Sequence, residues 1–206
     1  MKRKSYVIVI IVSLISLGSA HSAYYNVKHV VDGDTIVLQT GEQVRYLGID
    51  APELAHDGEP NEFMAAQSRL FNRAQVGRSR VRLEFDLERK DHHGRLLAYV
   101  LLENGNMVNA MLVRQGLARV LAVRPNLRYF RVLLDSQREA MKEKIGLWAK
   151  NAERPEPFYL GNRESYRFHR PGCHFAKQIT PANVIRFSDS SNAYWEGFSA
   201  CRKCRP

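Results

Sequence analysis

Along residues 80–87, RVRLEFDL, every second residue is apolar: Val81, Leu83, Phe85 and Leu87 share one face and charges take the other. A period of two predicts a half-buried strand. The same reading predicts strands over 24–38, interrupted by DGD at 32–34, and over 43–49 after the turn QTGE. Another covers 95–103, closed by Asn104-Gly105, a hairpin-type turn.

Between these stretches the period lengthens to that of a helix. Residues 61–74 repeat Phe63, Ala66, Leu70, Phe71 and Ala74 on one side, and 107–116 form a short amphipathic helix stopped by Gly116. The third helix, 126–146, carries Phe130, Leu133, Leu134, Gln137, Ala140 and Met141 on one face, with Asn126 as its cap and Gly146 as its stop. Five strands with three helices between and after them predict an α+β domain over 24–150, a small five-stranded β-barrel packed by helices for which the OB type is one candidate. Residues 151–160 hold two prolines and read as a linker. Beyond them, 161–206 contains all three cysteines and few aliphatic residues, a second and much smaller unit.

Composition narrows the class. With 45% apolar and 25% charged residues the 206-residue chain is globular, not disordered. Lys2, Arg3 and Lys4 precede the apolar run YVIVIIVSLISLGSA, and Gly18, Ser19 and Ala20 offer small residues for cleavage. This predicts a signal peptide over 1–20 and a secreted or periplasmic protein; an uncleaved membrane anchor is the alternative. The net charge of +10 suits a polyanionic partner such as nucleic acid.

Three charged clusters call for chemistry. In DGDT (32–35), Asp32 and Asp34 are oxygen donors of the kind a hard cation takes, although Asp and Gly also make ordinary turns. Strand parity puts Asp34 with Ile36 and Leu38, and Arg45 with Leu47 and Ile49, so both charges are expected to face the barrel interior, where they need partners. GIDAPE (48–53) flanks Pro52 with Asp50 and Glu53, and DHHGRLLAYV (91–100) sets Arg95 at the start of a strand.

Taken together in this order, VVDGDTIVL, VRYLGIDAPE and DHHGRLLAYVLLENGNMVNAMLVRQGLARV resemble the staphylococcal nuclease-like (thermonuclease) family, from about Val30 to Trp148. The resemblance implies a calcium ion held by Asp34, Asp50 and the backbone carbonyl of Ala51, with Asp32 shaping the site from behind. It implies Glu53 as the group that orients or deprotonates the attacking water, and Arg45 and Arg95 as the pair gripping the scissile phosphate. The implied activity is endonucleolytic hydrolysis of DNA and RNA, leaving 3′-phosphates, by a monomer. A non-catalytic nucleic-acid-binding protein on the same fold is the alternative, and retention of Glu53 argues against it. The chain departs from the best-known member of the family after the short helix. Ala122 and Arg124 stand where two tyrosines lie beside the nucleotide, which implies different stacking or phosphate contacts there.

The tail holds His169, Cys173, His174, Cys201 and Cys204. Cys201-x₂-Cys204 has knuckle spacing, and a Cys₃His zinc site of His169, Cys173, Cys201 and Cys204 would leave no thiol over. His174 competes with His169 as the nitrogen ligand, and in an oxidising compartment a disulfide from Cys173 competes with zinc. So small a unit needs such a staple to fold. It resembles the Ada-like metal-binding module appended to some bacterial nucleases. Arg202, Lys203 and Arg205 suit added nucleic-acid contact, or the module is purely structural.

Overall fold

The computed structural model describes residues 23–55, 58, 60–149 and 156–206. The expected signal peptide, and 151–155 of the expected linker, lie outside the described residues. No helix among the described residues is long and apolar enough to cross a membrane.

The alternating segments become strands β1 (Tyr24–Tyr25), β2 (Val27–Val30), β3 (Thr35–Leu38), β4 (Gln43–Tyr46), β5 (Ile49–Asp50), β6 (Val81–Glu84), β7 (Leu96–Leu102) and β8 (Arg119–Val120). The helices are α1 (Ala65–Val76), α2 (Val108–Arg114) and α3 (Phe130–Glu143). Six strands form one sheet in the order β1-β6-β7-β4-β3-β2, and β5 pairs with β8 separately. The two edge strands of the large sheet, β1 and β2, are separated in sequence only by Asn26. One short stretch of chain therefore borders both edges, which requires the sheet to curl round on itself as an OB-type fold does. Ile36, Val44, Tyr46, Ile49, Val81, Ala98, Val100, Leu112 and Leu133 fill the interior.

The large sheet has six strands where five are expected, β6 stops at Glu84 and leaves Leu87 exposed, and two helices differ from the sequence reading. On α1 the buried residues are Ala65, Ser68, Asn72 and Val76, whereas Phe63 and Leu70 are exposed. Asn72 supplies the polar DGDT loop with a hydrogen bond, the small Ser68 lets that loop come close at Gly33, and of the apolar stripe only Phe71 packs partly against the core. Helix α3 begins four residues after Asn126, which does not cap it. Instead Asn126 is buried and exchanges two 2.8 Å hydrogen bonds with the backbone N–H and carbonyl of Glu88.

The C-terminal unit has a four-stranded sheet of β9 (Tyr159–Asn162), β10 (Arg167–His169), β11 (Val184–Phe187) and β12 (Ser199–Ala200), in the order β11-β9-β10-β12. Two short helices, α4 (His174–Lys177) and α5 (Ser190–Trp195), complete it. Asp189 caps α5 by accepting from the Asn192 N–H at 2.7 Å. Its apolar core is small: Tyr159, Phe168, Phe187, Ala193 and Phe198.

This unit is seated on α3. Gln137 accepts from the Val120 N–H at 2.8 Å and donates to the Tyr194 carbonyl at 2.6 Å, tying β8, α3 and α5 together. Arg138 donates to the Trp195 carbonyl at 2.9 Å. The Arg119 guanidinium lies 5.5 Å from the Trp148 ring and 5.3 Å from that of Tyr194. Gly197, at φ +83°, lies against Phe130, whose ring would be 2.6 Å from any added Cβ. Arg124 also faces the C-terminal unit: it donates to the Glu164 carbonyl at 3.3 Å and lies 5.4 Å from the Tyr166 ring.

Candidate active site and metal centre

The DGDT loop is held by backbone and side chain alike. The Asp34 N–H donates to Asp32 Oδ1 at 2.9 Å, closing a tight turn between β2 and β3. Asn72 on α1 donates to the Asp32 carbonyl at 3.1 Å and accepts from the Tyr46 hydroxyl at 2.9 Å. Gly33 permits the approach, because a Cβ there would run into the Ser68 side chain and lie 2.5 Å from Ala51 Cβ. The glycine between the two acids is thus needed for packing against α1 and the GIDAPE turn.

Asp34 is buried as parity predicts. Its Oδ2 accepts from the Ala51 N–H at 2.6 Å and lies 3.1 Å from Arg45 Nη1, while Oδ1 accepts from Thr35 Oγ1 at 3.1 Å. Arg45 departs from the parity expectation. The register sets Ile36 opposite Val44 and Thr35 opposite Arg45, so Val44 and Tyr46 point to the core and Arg45 lies on the other face. The chain then bends at Gly48, φ +76°, and wraps the guanidinium, which donates to the carbonyls of Tyr46 and Ile49 at 2.9 Å each. Its second arm donates to Asp50 Oδ1 at 2.9 Å.

Asp34, Arg45, Asp50 and Ala51 are therefore in direct contact, with Asp32 behind them. Burial pushes the Asp34 carboxyl up to about 7, opposed by Arg45 and reinforced by Asp32 and Asp50. Glu53 follows Pro52, its N–H bonded to Glu62 Oε2 at 3.0 Å. Burial raises its carboxyl above the usual range, and Asp32 and Asp50 add to the rise against Arg45 and Arg202. Arg95, by contrast, is bound at 2.7 Å to Asp91 of its own turn and makes no ion pair with the Asp34–Asp50 group. It lies one residue before β7, whose Leu97 pairs with Arg45.

The donor set fits a hard cation. Asp32, Asp34, Asp50 and Glu53 supply only oxygen, and the charges of Asp32 and Asp50 add to the cost of ionising Asp34 and Glu53, which a bound cation relieves. Asp50 Oδ2 and the Glu53 carboxylate accept no hydrogen bond among the described residues.

Two contributors lie beyond the reach of the motif reading. Asn72 orders the loop, yet a polar residue on a helix carries no sequence mark of that role. Arg202, 152 positions from Asp50, donates to Asp50 Oδ1 at 2.8 Å. Its contact depends on how the C-terminal unit sits on α3, which no local pattern encodes.

In that unit His169 at the end of β10, Cys173 before α4, and Cys201 and Cys204 after β12 converge. One ligand atom from each lies within 4.8 Å of all the others. All three cysteines are free thiols. Burial lowers the His169 basicity, with Arg167 adding, which favours the neutral ring that can ligate a metal. Three sulfurs and one nitrogen form a set that zinc takes tetrahedrally. His174 is exposed, with its Nε2 3.0 Å from Gln178 Nε2.

Comparison with known proteins agrees with both regions. The family model described as Staphylococcal nuclease homologue matches residues 43–150, and that described as Metal binding domain of Ada matches 147–206. The thermonuclease of Staphylococcus intermedius is 38% identical over 129 residues, 61% of this chain and 76% of the relative. That of Staphylococcus hyicus is 36% identical over 136 residues, 65% and 80% of the two chains. The SPbeta prophage-derived endonuclease YokF of Bacillus subtilis is 40% identical over 126 residues, 59% of this chain and 42% of the relative. With its motifs, its Asp34–Arg45–Asp50 group and this extent of similarity, the chain belongs to the staphylococcal nuclease homologue family.

Proposed function

We propose that this nucleic-acid-hydrolysing enzyme is a calcium-dependent endonuclease acting on DNA and RNA, exported as a monomer by way of its residues 1–20. The observation that carries the reading is the Asp34–Arg45–Asp50 group, an arginine held by two carboxylates on the rim of the barrel.

Calcium would be held by Asp34, Asp50 and the Ala51 carbonyl, with Asp32 supporting the loop. When bound, it supplies Lewis-acid stabilisation of a phosphoryl oxygen. The remaining work falls to the chain. Arg45 offers a planar fork that exchanges its carboxylate partners for two oxygens of the scissile phosphate and remains charged as negative charge builds. Arg95 supplies a second guanidinium once it turns from Asp91. Glu53, with its raised carboxyl, takes a proton from the attacking water. The water oxygen bonds to phosphorus, the bond to the 5′ oxygen breaks with that oxygen taking a proton from solvent to become a hydroxyl, and the phosphate stays on the 3′ oxygen. His169, Cys173, Cys201 and Cys204 would hold zinc as a structural staple.

Digestion of single-stranded DNA and RNA by the purified chain tests the reading. Fragments ending in 3′-phosphates are expected with calcium and none with a chelator. Intact polymers under both conditions would overturn it. Sequencing of the mature N-terminus checks export, with Ala20 as the last residue removed.

A further inference from the structure

Between β10 and α4 the C-terminal unit carries a depression of about 470 Å³ that the nuclease chemistry leaves unused. Its lining includes Arg167, Arg202, Phe175, Asn162 and Gln178. His169 and Cys201, two of the four candidate zinc ligands, form part of its wall, so a metal held there would fix its shape. The volume is in the range of small-ligand sites, large enough for a nucleotide.

The lining has the chemistry of single-strand recognition, in which cations track phosphates and aromatic faces stack bases. Arg202 reaches out of this depression to Asp50, which takes one of its five N–H donors. Arg167 donates to the Ala200 carbonyl at 3.3 Å and makes no ion pair among the described residues. Two guanidiniums are thus close enough to repel each other, with Asp50 the one carboxylate paired to either. Phe175 is 45% exposed, an aromatic face open to solvent at the lip. Around them, residues 156–206 carry eight Lys and Arg against four Asp and Glu. A cationic pair, an open aromatic and polar amides, joined through Arg202 to an active-site carboxylate, continue the substrate path off the barrel.

We propose that this depression is a nucleotide subsite. A single strand crossing the barrel site runs on to the C-terminal unit, where Arg167 and Arg202 bind a phosphate and Phe175 stacks a base. The inference rests on the nuclease reading for the strand's position at Asp50, but its test reads binding, not cleavage. In the full chain carrying Glu53→Gln, the affinity of a 12-nucleotide oligothymidylate and of a thymidine dinucleotide is measured by fluorescence anisotropy over a range of salt. Adding Arg202→Gln and Phe175→Ala is expected to weaken the 12-mer at least ~10-fold and to lower its salt slope by about one. With Phe175→Ala alone, which leaves the Arg202–Asp50 bond in place, the dinucleotide should change less than about twofold, since it fills only the barrel site. Both substituted side chains are solvent-accessible, and retained zinc verifies the fold. Independently of any variant, photo-crosslinking of a 5-iodouracil 12-mer should label the peptide containing Phe175. Unchanged 12-mer affinity and slope, absence of 12-mer binding, or crosslinks confined to the barrel would overturn the subsite. A wild-type chain that cuts the 12-mer while these variants bind it normally loses only the subsite. One that never cuts, yet binds through Arg202 and Phe175, loses only the nuclease.

Discussion

The barrel domain and the C-terminal unit hold themselves together by different means. The barrel buries a continuous apolar cluster running from Val30 to Leu133, and this cluster carries Asp34 and most of Arg45 at its rim. The C-terminal unit gathers five core residues, four of them aromatic, and sets beside them four metal-ligating side chains. A large core can tolerate buried charge because apolar burial, at about 25 cal/mol per Å², offsets it. A small one cannot order its loops without a cross-link. Chemistry is therefore concentrated where burial is in surplus, and a staple where it is short.

Metal removal should break this contrast most visibly. Zinc binding in comparable small domains is worth roughly 10–16 kcal/mol and is coupled to folding. Cys204→Ser is expected to abolish zinc uptake and expose 156–206 to protease, while 24–149 remains resistant. Protection of both regions without zinc would remove the distinction.

Next in size is loss of the proposed general base. Glu53→Gln should lower the cleavage rate at least ~10²-fold, the effect of losing one preorganised catalytic group. Arg45→Ala should lose as much activity but also stability, about 3–5 kcal/mol, because it strands a buried carboxylate. Denaturant melts of the two variants separate these effects. Wild-type stability in Arg45→Ala would mean that the Asp34–Arg45–Asp50 group is not the strut its burial implies.

A smaller effect sharpens the picture of how α1 serves the site. Asn72→Ala leaves the Tyr46 hydroxyl and the Asp32 carbonyl without partners and should cost about 1–3 kcal/mol. It should also weaken calcium binding by loosening the DGDT loop, which calorimetry would register.

The smallest concerns the outer face of the barrel. Tyr129 donates to Glu84 at 2.5 Å, and this bond, with Arg128 and Arg82 near, lowers the Glu84 carboxyl below its usual value. Stability from a depressed carboxyl is complete above the unfolded value of about 4.3 and is lost as pH falls through the folded one. Tyr129→Phe should therefore cost about 0.5–1.5 kcal/mol near neutrality, with the gap to wild type narrowing below pH ~4. A gap that does not narrow would show that the hydroxyl does not act through the ionised Glu84 carboxylate.

Much of this was legible in the chain because local spacing encodes it. The alternation at 80–87 yields β6, and the DGDT, GIDAPE and DHHGR motifs fall around one barrel sheet. What escaped is non-local. Phe63 and Leu70 of α1 face outward because the loop beneath takes a hydrogen bond from Asn72 and lies close against Ser68. Arg45 changes face because the register with β3 and the bend at Gly48 decide its direction. Asn126 bonds Glu88 instead of capping α3, a choice made by a chain segment 38 residues away. Arg124 engages the C-terminal unit, and Arg202 reaches Asp50 only because Gln137, Arg138 and Arg119 seat that unit on α3.

The central claim is that the barrel's carboxylates and arginines cut phosphodiesters with Glu53 as the base. Single-turnover digestion of a labelled single-stranded DNA, by wild type and by Glu53→Gln with calcium, tests it most directly when paired with a binding curve for each. The account predicts equal affinity and a rate lower by at least ~10²-fold in the variant. Equal rates, or no cleavage by wild type despite tight binding, would contradict it.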